Sequence, residues 1–182
     1  MARPRPPMLT DLITFLTNHY YPQCRLRGVS CNEKGRGFTL NRSSGDSVIG
    51  YQIDGCILSD ESPKCDCLFI CMNAKKLAVI LVELKGNDAK RAIYQIKSTA
   101  ERLCRRRGRE DILHPSISRN CTPSRIFIPN HHGIIFGIVV CSRVIPLAQK
   151  EKKQVQKEGW LRLELKSTTR LVKKTSDFLA AS

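Results

Sequence analysis

The apolar residues of this chain change their spacing twice between positions 48 and 141, and that pattern constrains the fold more than any other feature. Residues 48–58 (VIGYQIDGCIL), 65–72 and 77–85 are short apolar runs, separated by the turn-like stretches SDESPK and NAKK. They predict three consecutive strands, the last two forming an antiparallel hairpin. The period then lengthens. Ala89, Ala92, Ile93, Ile96, Ala100, Leu103 and Cys104 mark one face of a helix over about 88–107, with Asn87 as its N-cap. The run IIFGIVVC at 134–141 predicts a buried strand after it, and Leu9, Leu12, Ile13, Leu16 and Tyr20 predict an opening helix over 8–21 that Pro22 ends. Helix, three strands, helix and strand bury these faces together as a central mixed sheet flanked by helices, an α/β (α+β) fold with an αβββαβ core.

The remaining segments attach to that core. Residues 1–7 (MARPRPP) form a flexible basic lead, and 30–47, rich in Gly, Ser and Asn, read as loop with a weak strand at 38–40. A charged helix over 147–158, a strand over 160–165 and a closing helix over 168–180 complete the chain. The expected organisation is thus a lead (1–7), a core (8–145) and a basic C-terminal extension packed on it (146–182). No run approaches the roughly 20 apolar residues that span a bilayer, and proline-rich chain follows the basic N-terminus where a signal peptide would be apolar. A cytoplasmic protein with no membrane partner is expected.

Charge separates along the chain. Lys and Arg number 31 against 16 Asp and Glu, a net of 31 − 16 = +15. Residues 85–109 hold nine basic and two acidic side chains, and 143–174 hold ten and three. An excess of this size fits a polyanionic partner, nucleic acid first, although it also serves as a solubilising surface. On the predicted helix Arg91, Gln95, Ser98, Arg102 and Arg105 form one polar stripe, and with Lys90 and Arg106 they are candidate contacts to a phosphate backbone. The same stripe also reads as the solvated face of an amphipathic helix. The acids gather instead around the strands, at Asp46, Asp54, Asp60, Glu61, Asp66, Glu83 and Asp88. Carboxylates repel phosphate, so an acidic island in a basic protein suggests a cation bridging the two.

The nine cysteines include no C-x-x-C, and Cys65, Cys67 and Cys71 lack zinc spacing. With an odd count and no export signal, buried thiols are expected in place of a disulfide framework, the three sharing one face of a strand. His131 and His132 sit in a turn-like PNHHG without metal-site context, and no G-x-S-x-G elbow supports a serine hydrolase.

Asp66 opens the second predicted strand and Glu83 closes the third, so a hairpin brings them side by side. With the Leu84 backbone carbonyl they offer hard oxygen ligands suited to Mg²⁺, or Mn²⁺ in its place. Lys85 lies on the face of Glu83, two residues on. Carboxylates, a cation and a lysine suit phosphodiester hydrolysis.

The run PKCDCLFI, the 16 residues between Asp66 and Glu83, and VELK followed by an amphipathic helix resemble the PD-(D/E)XK nuclease superfamily, which includes restriction endonucleases and Holliday junction resolvases. The resemblance spans about 8–141. It implies a restriction-endonuclease-like core, metal ligands at Asp66 and Glu83, a catalytic lysine at Lys85, and Gln95 beside the site. Pro63 stands three positions before Asp66 where the motif has one. The helix-one glutamate of some branches has no clear counterpart, Asp11 and Asp54 being the substitutes. The function implied is Mg²⁺-assisted attack of water on DNA, with RNA and a homodimer left open. The alternative is a non-catalytic nucleic-acid-binding or accessory protein that keeps the fold. Aromatic residues make up 6% of the chain, which argues against extensive base stacking on single strands.

Overall fold

The computed structural model describes residues 22–73, 76–103, 135–143, 146–157, 159 and 161–180. After a single 3₁₀ turn at Pro22–Cys24 come β1 (Ser30–Glu33), β2 (Arg36–Asn41), β3 (Ser47–Gln52), β4 (Cys67–Met72) and β5 (Leu77–Lys85). They are followed by α1 (Ala89–Leu103), β6 (Ile135–Cys141), α2 (Pro146–Gln156), β7 (Leu161–Ser167), β8 (Arg170–Lys174) and α3 (Thr175–Leu179). The opening helix predicted for 8–21 lies outside the described residues.

Two sheets result. The larger has the order β3-β4-β5-β6-β7, antiparallel through β5 and parallel from β5 to β7. The smaller, β1-β2-β8, joins an antiparallel hairpin to a parallel strand from the far end of the chain. The mixed α/β class is as expected, with one correction: helices α1 and α2 cover only one face of the large sheet, and the small sheet with α3 covers the other. Two-sided burial explains why β4 and β5 read as unbroken apolar runs. Along β5, Leu77, Val79 and Leu81 join the helix-side core, while Ala78, Ile80, Val82 and Leu84 join the core beneath the small sheet. That second core includes Phe38 and Leu40 of β2 and Phe136 of β6, whose ring meets Phe178 of α3 edge-on at 5.1 Å.

Several boundaries differ from expectation. Residues 30–47 contain the hairpin β1–β2 in place of a loop: the strand expected at 38–40 lies within β2, and the turn runs through Lys34 and Gly35 with φ of 46° and 77°. Positive φ at both central positions is the two-residue geometry that matches strand twist. The first meander strand stops at Gln52, because Gly55, at φ 70°, turns the chain. Residues 170–174 extend β2 as β8 instead of opening a helix, leaving five residues for α3. Asp88, not Asn87, caps α1, its Oδ1 accepting the Arg91 N–H at 2.9 Å. Gly137 is required where β6 meets α1, since a Cβ there would stand 2.5 Å from Leu163 and 2.7 Å from Ile96.

The thiol expectation is also corrected. Cys24 pairs with Cys56 and Cys31 with Cys67, across 32 and 36 residues of sequence. An odd total does not forbid pairs, and only the packing of β1 on β4 brings Cys31 to Cys67. Cys65, Cys71 and Cys141 are buried. Cys65 precedes β4 and packs on the helix side, whereas Cys67 and Cys71 face the small sheet. Among the described residues no helix is long and apolar enough to cross a membrane.

Candidate active site

Strand alternation builds the site. Continuing the helix-side series of β5 past Leu81 brings Glu83 and Lys85 to that face, at the carboxyl end of the strand. Asp66 lies opposite, where the chain enters β4: its N–H donates to Val82 O at 3.1 Å, and its Oδ2 accepts the Leu84 N–H at 2.6 Å. The hairpin therefore brings Asp66 and Glu83 together as the sequence predicts. Leu84 takes part through its N–H, held by Asp66.

Helix α1 supplies the second wall. Lys85 Nζ stands 3.4 Å from Glu83 Oε1 and donates to Gln95 Oε1 at 2.9 Å. The Gln95 amide donates in turn to Lys64 O at 2.8 Å. One turn further on, Thr99 Oγ1 accepts the Cys65 N–H at 2.8 Å. The helix thus fixes the backbone leading into Asp66 and the ammonium of Lys85 at once. Lys85 is 24% exposed at its side chain, against 2% for Glu83.

A third carboxylate arrives from an element that sequence reasoning missed. Glu33 ends β1 near enough to Asp66 for its charge to act on that carboxyl, while Lys34 Nζ sits 3.1 Å from Glu33 Oε1. Cys31, two residues earlier on β1, is bridged to Cys67, the neighbour of Asp66. The signal was present in the sequence, as Lys-Gly between short alternating stretches, but Gly, Ser and Asn around it masked the strands. Arg36, paired with Glu33 across the hairpin, donates to Ser142 Oγ just past β6, so the hairpin is tied to the same end of the sheet.

The electrostatics follow from burial. Desolvation, then the charge of Glu83, pushes Asp66 up to about 8, against the Leu84 N–H that favours its anion. Desolvation likewise raises Glu83 to about 7, although Lys85 opposes it. Burial works on Glu33 too, but the hydrogen bonds from Asp66 and Lys34 outweigh it and hold Glu33 below the ordinary carboxylate range. Asp66 therefore holds a proton more readily than Glu33 does. Glu83 Oε2 is buried with no hydrogen-bond partner among the described residues. An orphaned buried carboxylate oxygen beside a second carboxylate suits a small hard cation that keeps most of its waters. Among the described residues no three His, Cys, Asp or Glu side chains stand grouped to hold an ion. The protein would thus supply the Asp66 and Glu83 oxygens and water the remainder.

Other expected residues fall elsewhere. Arg102 is engaged by Asp60, through Nη2 at 2.6 Å and Nη1 at 3.2 Å, so it braces the 60–65 segment against α1 and does not stand open to phosphate. Lys90 and Arg91 are exposed on the first turn of α1. Asp54 pairs with Lys64 at 3.6 Å. Arg105, Arg106, Asp11 and both His131 and His132 lie outside the described residues. No protein-family model matches the chain, and neither a curated protein nor a solved structure matches it significantly.

Proposed function

We propose that the protein is a Mg²⁺-dependent nuclease that hydrolyses phosphodiester bonds in DNA, with the PD-(D/E)XK-like core its sequence resembles. One observation carries this reading: Asp66 and Glu83 meet at the carboxyl end of β5, with Lys85 beside them and held by Gln95. Ligand sites in open α/β sheets favour that end of the strands. Asp66 and Glu83 would hold the cation. When bound, it supplies Lewis acidity to the phosphodiester. Lys85 is the partly exposed cation of the site, placed to meet a phosphate oxygen or orient water. Gln95 positions that ammonium. Asp66 gives up its proton to solvent when it serves as a ligand, since Glu33 is held below the ordinary carboxylate range and does not take it.

The test is a cleavage panel with Mg²⁺ or Mn²⁺ on linear duplex, nicked, forked and four-way DNA and on RNA. Cleavage of at least one DNA substrate, abolished by chelator, supports the reading. Binding without cleavage of any substrate favours the alternative, a nucleic-acid-binding protein that keeps the fold without the chemistry.

A further inference from the structure

The small sheet shows its outer face to solvent. On β1 and β2 the side chains of Cys31, Phe38 and Leu40 go inward to the core, which turns Ser30, Asn32, Thr39 and Asn41 outward. The parallel register of β2 with β8 sets Arg170 beside Gly37, Val172 beside Thr39 and Lys174 beside Asn41, all three exposed. The face therefore offers hydroxyls, amides and cations, with one apolar side chain, Val172, among them. A groove of about 680 Å³ crosses it, lined by Ser30, Asn32, Lys34, Thr39 and Arg170 and reaching Glu33, whose charge acts on Asp66. Gly37 leaves its floor without a side chain, and the Asn32 amide lies across it.

The tip of the hairpin is unusual. Lys34 is the only non-glycine residue at positive φ among the described residues. That conformation costs an L-residue about 1 kcal/mol or more, and asparagine or glycine would adopt it more cheaply. The lysine there is 85% exposed at its side chain. Strain of this kind collects at functional positions.

We propose that this face is a docking surface for the phosphodiester backbone of duplex DNA, with the Lys34–Gly35 turn at its leading edge and the backbone passing from Arg170 toward Glu33 and Asp66. The inference rests on the nuclease reading for the kind of partner. Charge complementarity favours the occupant: the chain carries a net +15, Lys34 and Arg170 are exposed along one groove, and Lys174 is exposed further along β8. Among the described residues the face includes no aromatic side chain on which unstacked bases could lie, so contacts fall on phosphates and sugars, which suits a duplex over a single strand. The surface also differs from the α1 stripe, where Arg102 is already engaged by Asp60.

Binding is measured without divalent ions in the Glu83→Gln background, so that it does not depend on cleavage. Fluorescence anisotropy with a labelled duplex is read across a salt series. The double variant Lys34→Ala/Arg170→Ala should bind duplex more weakly, with a log–log salt slope shallower by about one unit for each phosphate the protein ceases to neutralise. The pair Lys150→Ala/Lys153→Ala on α2, across the large sheet, should keep the parent slope. An unchanged slope in the first variant overturns the proposal. So does a defect confined to single-stranded DNA, or to anionic lipid vesicles, with duplex binding intact. If the wild type cleaves nothing while duplex binding still depends on Lys34 and Arg170, the catalytic reading fails and this surface stands.

Discussion

Replacing Glu83 with glutamine should stabilise the metal-free protein at alkaline pH, because the fold holds a carboxylate where ionisation is unfavourable. The side chain is 2% exposed, and burial lifts its pKa from 4.5 to about 7. The unfolded chain gives up that proton near pH 4.5 and the folded chain only near 7, so over this window the folded state binds more protons. Stability contributed by the protonated form is then fully present below about 4.5 and is lost as pH rises through about 7. The difference is worth roughly 3 kcal/mol for the group alone. Loss of the Lys85 ion pair offsets part of the gain, leaving about 1 to 3 kcal/mol expected at pH 8.5. Urea unfolding with chelator at pH 5 and 8.5 measures it. The variant should match the wild type at pH 5, exceed it at pH 8.5, and show a flatter profile between. A variant less stable than wild type at pH 8.5, or one whose profile runs parallel, would show that Lys85 already compensates the charge and that the site stores no such strain.

Three further outcomes follow from the same geometry. Titrating Mn²⁺ into the protein at pH 7 should release protons, detectable as a dependence of the calorimetric heat on buffer ionisation enthalpy, because Asp66 must lose the proton that holds it at about 8; heats independent of buffer would contradict this. Cys31→Ser should lower stability by about 2 to 4 kcal/mol under oxidising conditions and by little after reduction, since the missing cross-link closes 36 residues; equal effects in both conditions would point to packing instead. Gly137→Ala should cost about 1 to 3 kcal/mol in thermal unfolding, because its methyl would meet Leu163 and Ile96 between β6 and α1, and a neutral result would mean that α1 shifts freely.

How much of this could be read from the sequence depended on whether the contacts were local. β5 was legible to the residue, as Leu77–Lys85, because an unbroken aliphatic run ending in Glu-Leu-Lys has few other readings. The meeting of Asp66 with Glu83 was legible too, since one short turn fixes a hairpin's ends. Gln95 came within reach because α1 has a strong apolar face, which leaves its polar residues on a known side. Of the β1–β2 hairpin only residues 38–40 of β2 were legible, because its inward residues are few and Gly, Ser and Asn dominate around them. Its parallel partner β8 lies about 130 residues away, and no local pattern announces such a pairing. Glu33 was missed with the hairpin, as was the link from Cys31 to Cys67. Arg102 misled for a related reason: a basic helical stripe reads as open surface until Asp60 is found against it.

The most direct test of the central claim compares cleavage and binding in one variant. Wild-type protein with Mg²⁺ should cleave a DNA duplex or branched substrate, and Glu83→Ala should bind the same DNA as tightly at low salt while its cleavage falls to background. If Glu83→Ala cleaves at the wild-type rate, or the wild type cleaves no DNA with Mg²⁺ or Mn²⁺, the carboxylate pair at the end of β5 is not a catalytic site.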